Sequence, residues 1–120
     1  MTGFKKFEEI QAWQKARIAT KRVYEITSNG KFSKDFGLRD QIRRSAVSIM
    51  ANIAEGQGRF SNKEFANFLN MAHGSVAETQ SHLYIATDLG YLEQSGFSEL
   101  YELLGEVARM TMGLMKHLRS

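Results

Sequence analysis

Hydrophobic residues recur along this chain at steps of three and four, the spacing of amphipathic α-helices, and glycines interrupt the pattern between such stretches. The interruptions divide the chain into four segments. The first two helices are expected at about residues 7–27 and 36–57. The third should begin at Ser61, which forms a capping box with the glutamate three residues later, and should end near residues 88–91. The fourth should open at residues 95–96.

The connections between these segments are short, and short turns favour antiparallel neighbours. A chain of 120 residues also has the length of one domain with one hydrophobic core. The sequence therefore predicts an all-α fold, an antiparallel up-down-up-down four-helix bundle, formed by a single domain over residues 1–120.

The second predicted helix is apolar around more of its circumference than an ordinary surface helix. Its apolar side chains cover roughly 220 degrees on a wheel of 3.6 residues per turn, whereas a surface helix needs a stripe of about 100 degrees. The excess predicts two buried surfaces, one against the chain's own core and one against another chain. The expected oligomer interface consists of four small or flexible residues: Val47, Met50, Ala51 and Ala54.

The chain has no cysteine, which excludes disulfides and thiolate zinc sites. The basic residues near the N-terminus are not followed by the apolar segment of a signal peptide, and no window is long enough for a membrane span. We therefore expect a cytoplasmic protein with no membrane partner.

The net charge of +3 conceals an asymmetry between the two halves of the chain. Residues 1–60 hold twelve Lys and Arg against six Asp and Glu, while residues 61–120 hold four against seven. A basic half can attract nucleic acid or an acidic protein partner. Alternatively, the two halves pair with each other inside the bundle or across subunits.

Four cations share the exposed arc of the first helix: Lys15, Arg17, Lys21 and Arg22. Such a cluster suits phosphate binding, because each neutralised phosphate releases condensed counterions. The alternative is that these residues only keep the helix soluble. The hypothesis is weak, sequence-tolerant binding of RNA or DNA, multiplied by repetition of the patch in an oligomer.

The second helix also carries a polar stripe. Its members are Gln41, Arg44, Ser45, Ser48, Asn52, Glu55 and Arg59. This stripe either lines a groove or a central channel of an oligomer, or is the solvated face of the helix.

Arg43 lies inside the apolar arc of the same helix, where a lone buried guanidinium would cost several kcal/mol. It therefore needs a partner, and Glu78 on the third helix is the best candidate. We expect a structural Arg43–Glu78 ion pair, within or between chains, that fixes register.

The sequence favours no enzymatic site. A di-iron bundle requires Glu-x-x-His on two helices, but here Glu78 and His82 are four apart and there is no second copy. The glycines at 56 and 58 follow a helix instead of a strand, unlike a phosphate-binding loop. We expect no metal, no cofactor and no catalysis; an enzyme with a carboxylate pair such as Glu55 and Glu78 is the third hypothesis.

Several short segments, in order along nearly the whole chain, resemble the four-helix-bundle proteins encoded in intervening sequences of bacterial large-subunit ribosomal RNA genes. The segments are Phe36-Gly37-Leu38, Gln41-Ile42-Arg43-Arg44, Ser48-Ile49, Asn52-Ile53-Ala54-Glu55-Gly56, Glu64-Phe65, Phe68-Leu69, Gly74-Ser75 with Glu78, and Leu89-Gly90-Tyr91-Leu92. The family pattern usually has proline after the Ser-Ile pair, where this chain has Met50, so the second helix should be straighter.

The resemblance implies a four-helix bundle that assembles as a homopentamer and has no established enzymatic activity. Accessory proteins of diversity-generating retroelements are similar in fold and are thought to bind nucleic acid and a reverse transcriptase. The leading hypothesis is a homo-oligomeric binding or scaffold protein whose partner is nucleic acid, with a protein partner as a second option. The alternative is a purely structural, self-associating protein with no ligand.

Overall fold

The computed structural model describes residues 3–120 as four long α-helices and two short 3-10 turns, with no strand in that range. The helices are α1 (Gln11–Ile26), α2 (Phe36–Gln57), α3 (Asn62–Asp88) and α4 (Gln94–Arg119), and the 3-10 turns are Phe7–Glu9 and Phe32–Lys34. Each helix packs against its neighbours in sequence, and α4 packs back against α1. The predicted antiparallel four-helix bundle is confirmed. Met1 and Thr2, which begin the predicted domain, lie outside the described residues.

Local side-chain chemistry explains where α2 and α3 begin. The Asp35 carboxylate accepts a hydrogen bond from the Leu38 amide at 3.2 Å, and the Ser61 hydroxyl accepts one from the Glu64 amide at 3.3 Å. Each bond satisfies an amide that has no partner within the helix. Helix α2 then continues without interruption through Met50 to Gln57.

The start of the first helix differs from the expectation. Residues 7–9 form a separate 3-10 turn, and α1 begins only at Gln11. The reason is Ile10, which has an extended backbone (φ −78°, ψ 118°) and a buried side chain. The extended backbone of the buried Ile10 therefore separates the 3-10 turn from α1, although the periodic sequence pattern runs through both.

The core lies along the bundle axis and is closed at one end by the connector between α1 and α2. On α1, buried alanines allow the other helices to approach closely. At the closed end, Phe32 is only 1 % exposed, and its ring lies 5.2 Å from the ring of Tyr91. At the other end, Gly56 lets α2 and α3 meet, because an added Cβ there would lie 2.7 Å from Cβ of Phe68.

Candidate functional site

Two of the four cations expected to bind nucleic acid are paired with acids of α4. The Nζ atom of Lys15 lies 3.4 Å from Oε2 of Glu106, and Nη2 of Arg22 lies 3.6 Å from Oε1 of Glu99. Arg22 also contacts Glu25 on its own helix at 3.2 Å. These exposed pairs add little stability, but they compensate both positive charges. The basic first half of the chain and the acidic second half thus form some ion pairs with each other within the bundle.

Arg17 and Lys21 form the uncompensated part of this arc. Neither has a carboxylate partner among residues 3–120. They line an open depression of about 390 Å³ together with Trp13 and Ile18, and the Arg17 guanidinium lies 5.7 Å from the centroid of the Trp13 ring. Two cations one turn apart beside an indole ring can contact consecutive phosphates.

Arg43 is held by neutral groups. Its Nε donates a hydrogen bond to Oγ1 of Thr27 at 2.7 Å, one Nη donates to Oγ of Ser28 at 3.3 Å, and its guanidinium lies 4.5 Å from the centroid of the Tyr24 ring. The predicted ion pair with Glu78 is therefore wrong within the chain. The physical reason is that Arg43 leans toward α1, where hydroxyls and an aromatic face stabilise a half-buried cation without an acid.

Glu78 lies at the other flank of α2. Its side chain is 60 % exposed, and its Oε2 lies 3.7 Å from Nε2 of the mostly buried His82, an atom that makes no hydrogen bond. Glu78 and Arg44 line a polar cleft of about 340 Å³ between α2 and α3, together with Ser48. The acid that the sequence assigns to Arg43 thus lies beside the polar stripe.

Part of that polar stripe forms the contact between α2 and α3. The hydroxyls of Ser48 and Ser75 share a hydrogen bond at 3.0 Å, and Asn52 donates to the Ser48 carbonyl at 2.9 Å. One turn earlier, the buried hydroxyls of Ser45 and Thr79 share a bond at 2.8 Å. A purely solvated face is therefore a wrong interpretation for the two α2 serines.

The charged members of the stripe remain at the surface. Arg59 lies 3.7 Å from Glu55 one turn earlier, and its guanidinium lies 5.1 Å from the centroid of the Phe68 ring. Arg44 is exposed and has no ion pair among the described residues. A role for these three in lining an oligomeric channel stays a prediction.

The residues predicted to form the oligomer interface are all accessible to some degree. Val47 is 42 % exposed and Ala51 is exposed, while Met50 and Ala54 are partly buried. On α2, one side of the helix carries Arg43, Val47, Met50 and Ala54, which follow each other at steps of four, three and four. Tyr24 of α1 borders this side, because its ring contacts Arg43. We call this surface the α1–α2 face and define it as Tyr24, Arg43, Val47, Met50 and Ala54.

Helix α3 has an exposed apolar stripe in addition to the one that faces the core. Met71, Ile85 and Leu89 are each about half exposed, between 47 % and 53 %. They recur at helical spacing on the same side as Gly74 and Glu78. The spacing is visible in the sequence, and the structure adds that no other part of residues 3–120 covers this stripe. We call this surface the α3 face and define it as Met71, Gly74, Glu78, Ile85 and Leu89.

Two tyrosines in the described region have a pKa above the ordinary value. A hydrogen bond and electrostatic interaction with Tyr101 raise the pKa of Tyr84, and a hydrogen bond to Asp35 raises that of Tyr91. Among residues 3–120, no three His, Asp or Glu side chains are grouped so that they could hold a metal ion.

None of the helices in residues 3–120 combines the length and the apolar character needed to cross a membrane.

Comparisons with known proteins agree with the fold. No curated protein matches the chain significantly. A crystal structure of a protein of unknown function from the S23 ribosomal protein family of Bacteroides thetaiotaomicron is similar, with a TM-score of 0.80 and 26 % sequence identity. The match covers 88 % of this chain and 98 % of the other. A family model described as 23S rRNA-intervening sequence protein matches residues 8–113. The chain belongs to the 23S rRNA-intervening sequence protein family.

Proposed function

We propose that this chain is a homo-oligomeric helical scaffold that binds nucleic acid phosphates through the outer arc of α1 and catalyses no reaction. The observation that carries the proposal is the pair of Arg17 and Lys21, which have no acidic partner among residues 3–120 and lie beside Trp13. Lys15 and Arg22 flank this pair and contribute less, because α4 carboxylates already compensate their charges.

The chemistry of the arc favours phosphate contacts over base recognition. Lysine and arginine side chains bind backbone phosphates whatever the sequence, whereas sequence readout requires bidentate contacts to base edges or stacking on several rings. The arc has a single aromatic side chain, Trp13, which is itself covered in part by Arg17 and Phe7. Binding should therefore be weak and tolerant of sequence.

Self-association would make such a weak patch effective. Both faces carry exposed apolar side chains, Tyr24 and Val47 on the α1–α2 face and Met71, Ile85 and Leu89 on the α3 face, and exposed apolar surface marks interaction sites in proteins. An oligomer repeats the Arg17–Lys21 pair once per protomer, so that one strand can bind several copies and gain affinity by avidity.

The test is the binding of a short labelled single-stranded RNA and a DNA duplex at several salt concentrations. With two phosphate contacts per engaged protomer, log affinity should fall with log salt at a slope of about −1.5 for each protomer. An Arg17→Glu/Lys21→Glu variant should lose binding to every sequence by a similar factor.

The matched control is Lys63→Glu/Lys116→Glu, which changes the net charge equally at exposed positions outside the α1 arc. Its binding should fall much less. Absence of binding at low salt, or equal losses in the two variants, would contradict the proposal and favour a purely structural, self-associating protein.

A further inference from the structure

The α1–α2 face and the α3 face carry charges of opposite sign, and neither charge has a strong partner among the described residues. On the α1–α2 face, Arg43 has no carboxylate within reach in residues 3–120, and its two hydrogen bonds to hydroxyls leave three of its five N–H donors free. On the α3 face, the one charged contact of Glu78 within the described range is a long one, 3.7 Å to Nε2 of His82. The positive charge of Arg43 on one face and the negative charge of Glu78 on the other would therefore neutralise each other if the two faces met.

The two faces also match in level along the bundle. Hydrogen bonds between Ser45 and Thr79 and between Ser48 and Ser75 show which residues of α2 and α3 lie at the same height. By the same register, Met50 lies close to the level of Gly74, and Ala54 close to that of Met71. Arg43 lies about two to three residues from the level of Glu78, or about 3 to 5 Å along the axis, within reach of an arginine side chain.

Gly74 supports contact with another molecule. Glycine in a helix interior is less favourable than alanine, so its presence usually has a packing reason. A Cβ added to Gly74 would meet no atom of residues 3–120 within 4 Å, so packing within this range does not require glycine there. The exposed Gly74 has no side chain of its own, so a long flexible side chain from outside can approach the α3 backbone there, and Met50 lies at the same level on the other face.

From these observations we propose that the α1–α2 face of one protomer packs on the α3 face of the next. In this contact Arg43 pairs with Glu78 of the next protomer, and Met50 packs against the bare backbone at Gly74. The inference rests on the self-association proposed above and adds which surfaces meet. Because two different faces meet, the contact is head-to-tail, and it closes a ring when the rotation between protomers allows.

A second copy explains both faces at once. Nucleic acid would be repelled by the Glu78 carboxylate and would gain little from the apolar side chains of the α3 face. An acidic peptide would suit Arg43 but would leave Met71, Ile85 and Leu89 exposed. A second copy of this chain carries both faces, so its α1–α2 face can cover the α3 face and its α3 face can cover the α1–α2 face.

Light scattering coupled to size exclusion tests the charge pair. The wild type should have a multiple of the protomer mass of 13.6 kDa, and Arg43→Glu and Glu78→Arg should each lower the mass toward one protomer. The double variant Arg43→Glu/Glu78→Arg should recover assembly. In a mixture of the two single variants only unlike neighbours make the charge pair, so the mixture should form larger species than either variant alone, and a ring with an odd number of protomers should not close.

Asp88→Arg is the matched control, because it makes the same charge change on α3 outside the α3 face. It should keep the wild-type mass. Circular dichroism establishes whether each variant is folded; if Arg43→Glu unfolds, the exposed Glu78→Arg decides alone. Folded single variants with the wild-type mass would overturn this contact but leave self-association intact. A monomeric wild type would overturn both.

Cross-linking provides a second readout, since the chain has no cysteine. A Met50→Cys/Gly74→Cys variant should form a ladder of disulfide-linked protomers under mild oxidation, whereas either single substitution should not. A variant that assembles like the wild type but forms no ladder would overturn the proposed contact.

Discussion

The hydroxyl of Tyr91 donates a hydrogen bond to Oδ2 of Asp35 at 3.0 Å, and this bond joins the turn after α3 to the start of α2. The other oxygen of the same carboxylate caps α2 by accepting from the Leu38 amide. One carboxylate therefore starts a helix and holds a distant turn over the buried Phe32 ring, at the closed end of the core.

This bond predicts a pH dependence of stability. Because the hydrogen bond to Asp35 raises the pKa of Tyr91, the folded chain holds the phenolic proton more tightly than the unfolded chain. The resulting stabilisation is fully present below the ordinary tyrosine pKa of about 10 and disappears as the pH rises through the raised value. Tyr91→Phe should thus be less stable than the wild type at pH 7, and the difference should shrink at alkaline pH.

Chemical denaturation at a series of pH values measures the difference. Tyr24→Phe is the control. It removes a hydroxyl that is not bonded to Asp35, and it keeps the ring that contacts Arg43. A difference between Tyr91→Phe and the wild type that does not change with pH would contradict the prediction.

A second prediction concerns Gly56 at the other end of the α2–α3 contact. Gly56→Ala places a methyl group 2.7 Å from Cβ of Phe68 and 3.0 Å from the ring of Phe65, so the helices must separate. We expect a loss of about 1 to 3 kcal/mol in the free energy of unfolding, the usual range for overpacking. Gly113→Ala meets nothing within 4 Å and should instead add up to about 1 kcal/mol through helix propensity. Equal effects of the two substitutions on urea denaturation would show that helix propensity alone determines the change in stability and that the contact with Phe68 does not contribute.

The third prediction separates folding from assembly at Glu78. Because the Glu78 side chain is 60 % exposed and its His82 contact is long, Glu78→Ala should lower the unfolding free energy of the protomer by less than about 1 kcal/mol. The same substitution should weaken association. Denaturation of dilute protein and light scattering at higher concentration measure the two effects, with Asp88→Ala as the control. A loss of about 3 kcal/mol or more at high dilution would mean that Glu78 has a buried role within the chain.

Periodicity and caps were sufficient to predict most of the helical architecture. The expected bounds of α2 agree with the structure, since Asp35 caps its start and the chain turns at Gly58. The start of α1 was wrong, because the pattern cannot distinguish a helical Ile10 from an extended one that is equally buried.

The partners of charged residues were harder to predict. A helical wheel shows that Lys15 and Arg22 lie outside the apolar stripe of α1, but it does not show which neighbouring helix lies on that side. For the same reason the sequence could not show whether Arg43 and Glu78 pair within the chain or between chains. The sequence placed both residues beside apolar stripes, yet the order of helices around the bundle puts them on different flanks.

The hydrogen bonds between Ser45 and Thr79 and between Ser48 and Ser75 have a consequence for the whole α2–α3 hairpin. Serine is close to alanine in size, so at these two levels the hydroxyl pairs, and not side-chain bulk, align the helices, in addition to the close contact of Gly56 with Phe68. A slide of one residue, about 1.5 Å, would take both hydroxyl pairs out of alignment together. The α2–α3 hairpin therefore keeps one register, and every copy of the protein presents its surface charges at the same heights along the bundle axis.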